Sequence, residues 1–460
     1  MLTRDIALHD AILDLLDNCL DGVVISQGIG AKKSNDKYYE GFYAEITIRK
    51  DSFEIKDNCG GISRDVAEKK AFRMGRSTAV GEGLPTVGIY GIGMKRAIFK
   101  IGKEAEVISK YSGGSFSVKI PENWAELGDD NWQFPIKDLK VSPSDVKGTH
   151  IIISKLSESV ESQWSDKNSL YSFENELRQA IQASYSLIIE KGFKIKLNGQ
   201  EVTPFKFDFL FSYDKGKKKD WKIQPYLFKR IYDECVDVHL IVGFYATIPN
   251  EDETEERLES KRSSPEAGWT IVCNDRIIIF NDKTHLTGWG EAGIPQYHTQ
   301  FIGIRGLVIF ESSKPEKLPM TTTKRGIDLS SAIFADVKNK MREGLKIFTN
   351  YTNQWKGRNE QERLYSNKTT KVSHASLSDE SWLKGKGVNF KNNKDGSSIS
   401  QPKLPRPSTD KDYEYIRFTK PKDDIDMVKD YLWDASIDVK PSKIGEECFD
   451  RFLHKAKNGS

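Results

Sequence analysis

The amino-acid sequence predicts an α+β protein with two mixed domains in series and a small C-terminal element. An opening amphipathic helix is followed by alternating strand and helix patterns over residues 1–191. A strand-rich block over 192–355 ends in a long helix, and a polar, basic stretch over 356–411 separates it from residues 412–460. A chain of 460 residues is long enough for this many units.

The overall composition excludes several classes of protein. The 70 basic and 67 acidic side chains leave a net charge of +3, which argues against a polybasic protein. No run of about 18 apolar residues is present, so we expect no membrane contact. The first ten residues lack the apolar segment of a secretory leader, and the 5 cysteines are widely spaced, which favours free thiols in a reducing compartment. These features predict a cytoplasmic protein.

The first domain begins with a helix predicted over 4–20, where Ile6, Leu13, Leu16 and Leu20 form one apolar stripe. Alternating apolar and polar residues predict strands, and helical periodicity predicts further helices. The strands are expected at 43–49, 52–56, 104–109, 115–120 and 149–154, and the helices at 65–72, 94–101 and 170–190.

The second domain is predicted over 192–355, with strands at 238–246, 270–280 and 301–310 before a helix that starts at SSAIF. Residues 356–407 carry 11 basic and 5 acidic side chains and end in QPKLPRP. This composition predicts a basic, flexible linker over 356–411. The aromatic and aliphatic residues that return over 412–460 predict a small helical element.

Asp14 and Asn18 form the first chemical motif, because they lie one turn apart on one face of the opening helix. A carboxylate can deprotonate a water molecule, and an amide oxygen one turn away can coordinate Mg²⁺. Alone, the pair also fits the polar, solvated face of a half-buried helix.

The second motif is DNCGGI at 57–62, which follows a predicted strand. Asp57 can accept a hydrogen bond from an exocyclic amine, and Gly61 lets a flat ring approach the backbone. An ordinary hairpin turn is the alternative interpretation.

The third motif is GIYGIGMK at 88–95, directly before a predicted helix. Its glycines let backbone N–H groups converge, and the helix N-terminus and Lys95 add positive charge for a phosphate. The spacing is neither the dinucleotide GxGxxG nor the P-loop GxxxxGK[ST]. The fourth motif is Gly148-Thr149 at the start of a strand, which carries no information alone.

In this order, the four motifs resemble the GHKL (Bergerat-fold) ATPase family, which includes DNA gyrase B, Hsp90, MutL, histidine kinases and MORC ATPases. The resemblance implies a Bergerat-fold α/β sandwich, in which helices cover a mixed sheet, with ATP and Mg²⁺ as cofactors. It implies that Asp14 is the general base in place of the family's longer glutamate, so hydrolysis is expected to be slow. Asn18 would hold Mg²⁺, Asp57 would accept from the adenine amine, and Thr149 would support Asp57 through a water molecule.

The resemblance also extends to further positions. Residues 75–87 would form the lid over ATP, and Cys59, which stands where the family has a glycine, requires negative φ at that position. The implied nucleotide-binding residues are Asn18, Asp57, Gly61, Ile62, Ser77, Gly88, Gly91, Gly93, Met94, Lys95 and Thr149.

The segment LPMTTTKRGIDLSS resembles a loop of the ribosomal-S5-like transducer domain that follows the ATPase domain in several family members. In those proteins the loop brings a lysine to the γ-phosphate, and Lys324 is the candidate here. A solvent-exposed lysine beside Arg325 is the alternative. The loop and the motifs are most similar to the MORC-like and Hsp90-like prokaryotic ATPases, which often occur in restriction or anti-phage systems.

The partners implied by the resemblance are a second copy of the chain upon ATP binding and a protein effector. The basic linker, together with DKGKKKDWK at 214–222, is a candidate for DNA contact, although such runs are more often solvated surface. Two alternative functions remain open at this point: an Hsp90-like chaperone ATPase, and a scaffold that binds nucleotide without hydrolysing it.

Overall fold

A computed structural model describes most of the chain and divides it into two compact units, Met1–Pro407 and Ser408–Ser460. The described residues are 6–27, 37–72, 93–122, 134–140, 142, 145–213, 222–249, 266–321, 323–407, 416, 418–433, 437 and 439–458. The predicted lid at 75–87, with Ser77, and the predicted nucleotide contacts Gly88 and Gly91 lie outside the described residues, as do the lysines of 215–219.

The first domain is built on an eight-stranded sheet. Its strands β1 to β8 are Tyr43–Ile48, Ser52–Asp57, Gly102–Tyr111, Gly114–Ile120, Ile136–Asp138, Gly148–Leu156, Lys194–Leu197 and Gln200–Glu201. The spatial order is β5-β4-β3-β6-β2-β1-β7-β8. All neighbours pair antiparallel except β1 and β7, which are parallel, so the sheet is mixed as predicted.

Helices supply the second layer of this domain. They are α1 (Leu8–Gln27), α2 (Arg64–Val66, continued by a π-turn to Ala71), α3 (Gly93–Ile101), α4 (Glu158–Ser165) and α5 (Lys167–Glu190). The apolar sides of α1, α3 and α5 share one core with the inward residues of the strands, such as Ala44, Ile46 and Ile48 of β1. Asp166 caps α5 by accepting from the N–H of Ser169, which explains where the long helix begins.

The first sheet extends beyond residue 191, where the sequence predicted the domain to end. After a turn at Gly192 (φ +104°), β7 pairs with β1 and carries Ile195 and Leu197 into the first core. These alternating residues looked like the start of the second domain because a strand pattern does not reveal which sheet it joins.

The second domain contains a seven-stranded sheet and a long helix. The elements are β9 (Asp208–Phe211), β10 (Tyr226–Tyr232), β11 (Val236–Phe244), β12 (Gly268–Cys273), β13 (Arg276–Asp282), β14 (Ile304–Ser312) and α6 (Ala332–Gln354). The segment predicted as one strand at 270–280 is thus a hairpin, turned by Asn274 and Asp275 in the left-handed conformation (φ +49° and +68°). Helix α6 covers one face of the sheet.

Residues 356–407 differ from the flexible linker that the sequence predicted. They form α7 (Asn359–Ser366), β15 (Thr370–Ser373), α8 (His374–Ser378), α9 (Glu380–Gly385), β16 (Lys391–Asn392) and β17 (Ser398–Ser400). The sheet order is β13-β12-β14-β11-β10-β17-β16, and β15 pairs separately with β9.

The apolar side chains of this segment explain why it folds. Val372, Leu377, Leu383 and Val388 are buried in one cluster that also contains Phe209. They are too few and too widely spaced to outweigh the surrounding lysines and asparagines in an averaged composition. The composition therefore indicated a linker where a small number of buried contacts is sufficient for order.

The described residues of the unit Ser408–Ser460 include two helices, α10 (Lys422–Leu432) and α11 (Pro441–Asn458). No helix in the described parts of the chain has the length and apolarity needed to cross a bilayer. All five cysteines are free thiols, as their spacing predicted.

Candidate functional site

Helix α1 carries the first motif. Asp14 is largely buried at 8% exposure, whereas Asn18, one turn later, is exposed. Arg96 of α3 donates to Oδ2 of Asp14 at 2.7 Å, and Arg325 donates to Oδ1 at 3.2 Å. The carboxylate therefore faces two guanidinium groups, which the sequence did not predict.

Asp57, the last residue of β2, is the centre of a network of hydrogen bonds. Its Oδ1 accepts from the backbone N–H groups of Cys59, at 2.8 Å, and of Thr149, at 3.2 Å. The Cys19 thiol donates to Oδ2 at 3.5 Å. Burial raises the pKa of Asp57, and the two backbone N–H groups act in the opposite direction. Oδ2, which accepts only a weak thiol donor among these contacts, is the oxygen placed to take a further hydrogen bond.

Two glycines allow the close approaches on which this network depends. A Cβ atom at Gly148 would lie 1.9 Å from the carbonyl oxygen of Asp57, and one at Gly61 would lie 2.2 Å from that of Lys110. Gly60 and Gly61 hold the left-handed positions of the turn, with φ of +103° and +74°. Cys59 therefore avoids the left-handed region, as its substitution for a glycine requires.

Ile62 completes the turn through its backbone, since the Ser109 hydroxyl accepts from its N–H and donates to its C=O, both at 2.8 Å. Ser109 lies on β3 and is fully buried. Strand β3 thus fixes the turn that follows β2.

The described part of the third motif is the start of α3. Gly93 lies beside Asp14, because a Cβ atom on this glycine would be 3.5 Å from Cβ of Asp14. Met94 packs at the edge of the first core. Lys95 is 4% exposed, and burial lowers its pKa to about 8. Lys95, the residue predicted to bind a phosphate, is thus buried in the first turn of α3, near the N-terminus of the helix.

The four motifs meet at one place. Gly93 of the third motif touches Asp14 of the first, and Cys19 on the same helix as Asp14 bonds Asp57 of the second. Thr149 of the fourth bonds Asp57 directly through its backbone N–H. Residues that are far apart in the sequence therefore line one site, where α1 crosses the ends of β2 and β6.

Lys324 reaches this site from the second domain. Its Nζ lies 3.3 Å from Oδ2 of Asp17 on α1, and its side chain is 11% exposed. Lys324 has φ of +57°, in a turn in which its N–H donates to the carbonyl of Thr321. The predicted lysine thus lies against α1, one helical turn from Asp14.

A buried ion pair joins the two domains next to Lys324. Arg276 at the start of β13 donates to Oδ1 of Asp17 at 3.0 Å and lies over the Tyr185 ring, 4.3 Å from its centroid. Tyr185 also donates to Oδ1 of Asp17 at 2.8 Å. Burial acts to raise the pKa of Asp17, but the charges of Lys324 and Arg276 and the two hydrogen bonds outweigh it, so the pKa is lowered.

The sequence indicated only part of this site. Arg96 and Arg325 were not singled out, although each follows directly after a predicted site residue, Lys95 and Lys324. This adjacency is the one feature of the sequence that could have pointed to the two arginines. Nothing in the sequence around Arg276 indicated that it would reach α1.

A magnesium ion fits the residues present only if the substrate supplies most of its ligands. Among the described residues, no group of three histidine, cysteine, aspartate or glutamate side chains could hold a metal. Asn18 offers an exposed amide oxygen one turn from Asp14. Mg²⁺ commonly takes one or two protein ligands and completes its octahedron with phosphate oxygens and water.

Comparison with known proteins agrees with this geometry. Residues 6–140 match the family model for histidine kinase-, DNA gyrase B- and HSP90-like ATPases. The matched residues include the first three motifs and support the GHKL resemblance, and with it ATP binding, over that part of the chain. The fourth motif, at 148–149, lies outside the match. No curated protein matches the chain at a significant level.

Proposed function

We propose that this chain is a Mg²⁺-dependent ATPase of the GHKL type that acts as an ATP-gated switch. The observation that carries the proposal is the convergence of the four motifs around Asp14 and Asp57, at the ends of β2 and β6. The family match to residues 6–140 supports ATP as the ligand.

In the proposed reaction, Oδ2 of Asp57 accepts from the adenine amine, and Gly61 gives the ring access to the backbone. The N-terminus of α3 and Lys95 face the phosphates. Asn18 would hold Mg²⁺, which would supply positive charge to neutralise the phosphate oxygens. Asp14 orients a water molecule and takes its proton as the water oxygen bonds to the γ-phosphorus and the bond from that phosphorus to the oxygen of the leaving ADP breaks. Catalysis then comes mainly from positioning and electrostatics.

The second domain is proposed to act as an S5-like transducer that supplies Lys324 to the γ-phosphate of ATP. Its closeness to α1 supports this assignment, because Lys324 and Arg276 both contact Asp17. By this proposal, ATP binding closes two copies into a dimer and phosphate release reopens them. A MORC-like role with DNA or an effector protein in a prokaryotic defence or restriction-type system is the corresponding biological proposal.

A scaffold that binds ATP without hydrolysing it is the second candidate, and one observation favours it. Both oxygens of Asp14 accept from guanidinium groups, which compete with a water molecule for the same carboxylate. Asp14 is also one methylene shorter than the glutamate that this family uses.

Two substitutions test ATP binding, which both candidates share, and ATP hydrolysis, which separates them. Asp57→Asn should weaken ATP binding by about tenfold or more, because a charged acceptor is lost, whereas Asp51→Asn in the exposed β1–β2 turn should not. Asp14→Asn should keep the affinity and lose phosphate release by about a hundredfold. Calorimetric titration with ATP and Mg²⁺, and a phosphate-release assay, measure the two effects. Wild type that binds ATP but releases phosphate no faster than Asp14→Asn would establish the scaffold instead.

A further inference from the structure

The carboxylates of α1 form one continuous acidic face toward the second domain. Asp10, Asp14 and Asp17 follow each other at intervals of four and three residues, so they lie on one side of the helix. The dipeptide Lys324-Arg325 contacts all three. The second domain therefore reaches the helix through two consecutive cations.

Arg325 makes most of these contacts. Its Nε lies 3.0 Å from Oδ1 of Asp10, and its terminal nitrogen donates both to the backbone carbonyl of Asp10 and to Oδ1 of Asp14. Its planar guanidinium thus spans two residues of α1, a geometry that a lysine ammonium could not reproduce.

The contacts with Asp14 have a chemical consequence. Arg96 donates to one carboxylate oxygen and Arg325 to the other, so both oxygens already accept charge-assisted hydrogen bonds. A base that takes a proton from water needs one of these oxygens, and Arg96 belongs to the same domain as Asp14. Only Arg325 can be withdrawn by a movement of the second domain.

The contact between Arg276 and Asp17 also joins the two domains, and it is more deeply buried than the contacts of Arg325. Arg276 and Asp17 are 2% and 1% exposed, and Arg276 also lies over Tyr185. The side chains of Lys324 and Arg325 are 11% and 24% exposed. Separating the partly exposed contact of Arg325 with Asp10 costs less than separating the buried Arg276–Asp17 pair, so Arg276 marks the pivot and the Lys324-Arg325 turn marks the part that can open.

We propose that Lys324-Arg325 is a latch on the acidic face of α1 and that Arg325 is a positioning residue that keeps Asp14 from acting as a base until the latch opens. This inference rests on the proposed role of Asp14 in ATP hydrolysis. It assigns control of that residue to a contact made by the second domain.

The test replaces Arg325 by glutamine and uses Arg363→Gln as the matched control. Arg363 lies on α7 of the same unit, with a similarly exposed side chain, and is paired at 3.3 Å with Glu360. Arg325→Gln should raise kcat for ATP hydrolysis by about fivefold, the population change expected when one partly exposed charge pair is lost, with KM within about twofold. The kcat of Arg325→Lys should lie between those of wild type and Arg325→Gln, because lysine keeps the positive charge but cannot contact Asp10 and Asp14 together. The control should match wild type.

Hydrogen exchange supplies a readout that does not depend on hydrolysis. The N–H groups of Thr321 and Lys324 are bonded within the turn, to Gly326 and Thr321. Their exchange should be faster in Arg325→Gln than in Arg363→Gln, while amides of β11 should exchange alike in both. If neither wild type nor any variant releases phosphate, the proposal of ATP hydrolysis is wrong. The exchange rates of the Thr321 and Lys324 amides then decide whether Arg325 holds the turn against α1.

Two outcomes would overturn the latch. One is a kcat that stays at or falls below the wild-type value in Arg325→Gln while the protein remains folded by circular dichroism. The other is unchanged exchange at Thr321 and Lys324. Asp10→Asn, which removes a partner of Arg325 outside the proposed chemistry, should shift both readouts in the same direction by a smaller amount.

Discussion

Gly148 sets the distance between β6 and the turn after β2. Any side chain there would begin 1.9 Å from the carbonyl oxygen of Asp57, inside van der Waals contact with rigid backbone. The hydrogen bond from Thr149 to Asp57 depends on this close approach. The glycine is therefore required by the site as well as by the sheet.

We predict that Gly148→Ala destabilises the protein by about 1–3 kcal/mol or more, as overpacking does, and weakens ATP binding. Gly385→Ala is the control, since a Cβ atom there would meet nothing within 4 Å. Thermal unfolding of both variants, followed by titration with ATP, checks the prediction. Equal melting temperatures for the two variants would contradict it.

Arg276 of the second domain forms a buried ion pair with Asp17 of the first domain. Its replacement by methionine keeps much of the packing on Tyr185 but leaves the buried Asp17 with one cation fewer. We predict a loss of about 3–5 kcal/mol in the free energy of unfolding, because the buried Asp17 carboxylate then keeps only Lys324 as a charged partner. Arg363→Met, at a more exposed ion pair, should cost at most about 1 kcal/mol.

Urea unfolding measures both values. Adding Asp17→Asn to Arg276→Met should recover part of the loss, since it removes the buried negative charge that lost one of its two cations. A double variant less stable than Arg276→Met would show that Asp17 matters for another reason.

His374 makes stability depend on pH. Burial and the charge of Lys191 lower its pKa from 6.5 to about 4, against the opposite effect of Asp275. The unfolded chain therefore binds more protons between pH 6.5 and 4, and stability falls as the pH falls through this window. Below about pH 4 the histidine adds no further loss.

We predict that His374→Gln removes this contribution. Relative to the variant, wild type should lose on the order of 2–3 kcal/mol between pH 7 and pH 4, as measured by urea unfolding at several pH values. His454→Gln on the exposed side of α11 serves as the control and should follow wild type. If the free energy of unfolding depended on pH in the same way in wild type and in His374→Gln, His374 would not be the source of this pH dependence.

At the scale of the elements, residues 356–407 belong to the second domain and do not act as a linker. Strand β17 pairs with β10, and β15 pairs with β9. Val372 and Leu383 share a buried cluster with Phe209. Removing the segment would therefore expose apolar surface and leave two strand edges unpaired.

We predict that a chain ending at Trp355 is insoluble or loses cooperative unfolding, whereas a chain ending at Pro407 unfolds like the full-length protein in this region. Expression, gel filtration and thermal unfolding of the two truncations check the expectation. Val372→Asp in the full chain should reproduce a milder form of the defect. A soluble, cooperatively folded chain ending at Trp355 would mean that the segment is dispensable.

The sequence predicted those elements whose signal is local. The stripe of α1 and the alternation in β1 and β2 are properties of a few consecutive residues. The strand bounds agree with the structure within one residue, whereas the helix predicted over 4–20 begins at Leu8 and continues to Gln27. The motif residues Asp57 and Thr149 were recognised through the order of the four motifs, which resembles that of the GHKL family, because Gly148-Thr149 carries no information alone. Arg276 and Arg325 could not be found in this way, because their partners lie more than 250 residues away and are brought near only when the second domain docks.

At the scale of the whole molecule, helix α1 carries both the residues proposed for ATP hydrolysis and the residue that contacts the second domain. Asp14 and Asn18 are the residues proposed to act on the nucleotide, while Asp17 on the same helix pairs with Arg276 and Lys324. A change at the nucleotide therefore has a rigid element through which to reach the second domain. Gel filtration with a non-hydrolysable ATP analogue tests the proposed dimer, and a monomer at micromolar concentrations in the presence of the analogue would argue against it.

The order of strands in the second sheet also has a consequence for biosynthesis. β10 ends at residue 232, but its neighbour β17 begins only at residue 398. At about 5–20 residues per second, a ribosome needs on the order of ten to thirty seconds to make the chain in between. During that time one edge of β10 has no strand to pair with. Nascent chains on neighbouring ribosomes could then join through this edge, so chaperone protection of the emerging second domain should matter more for yield than its final stability.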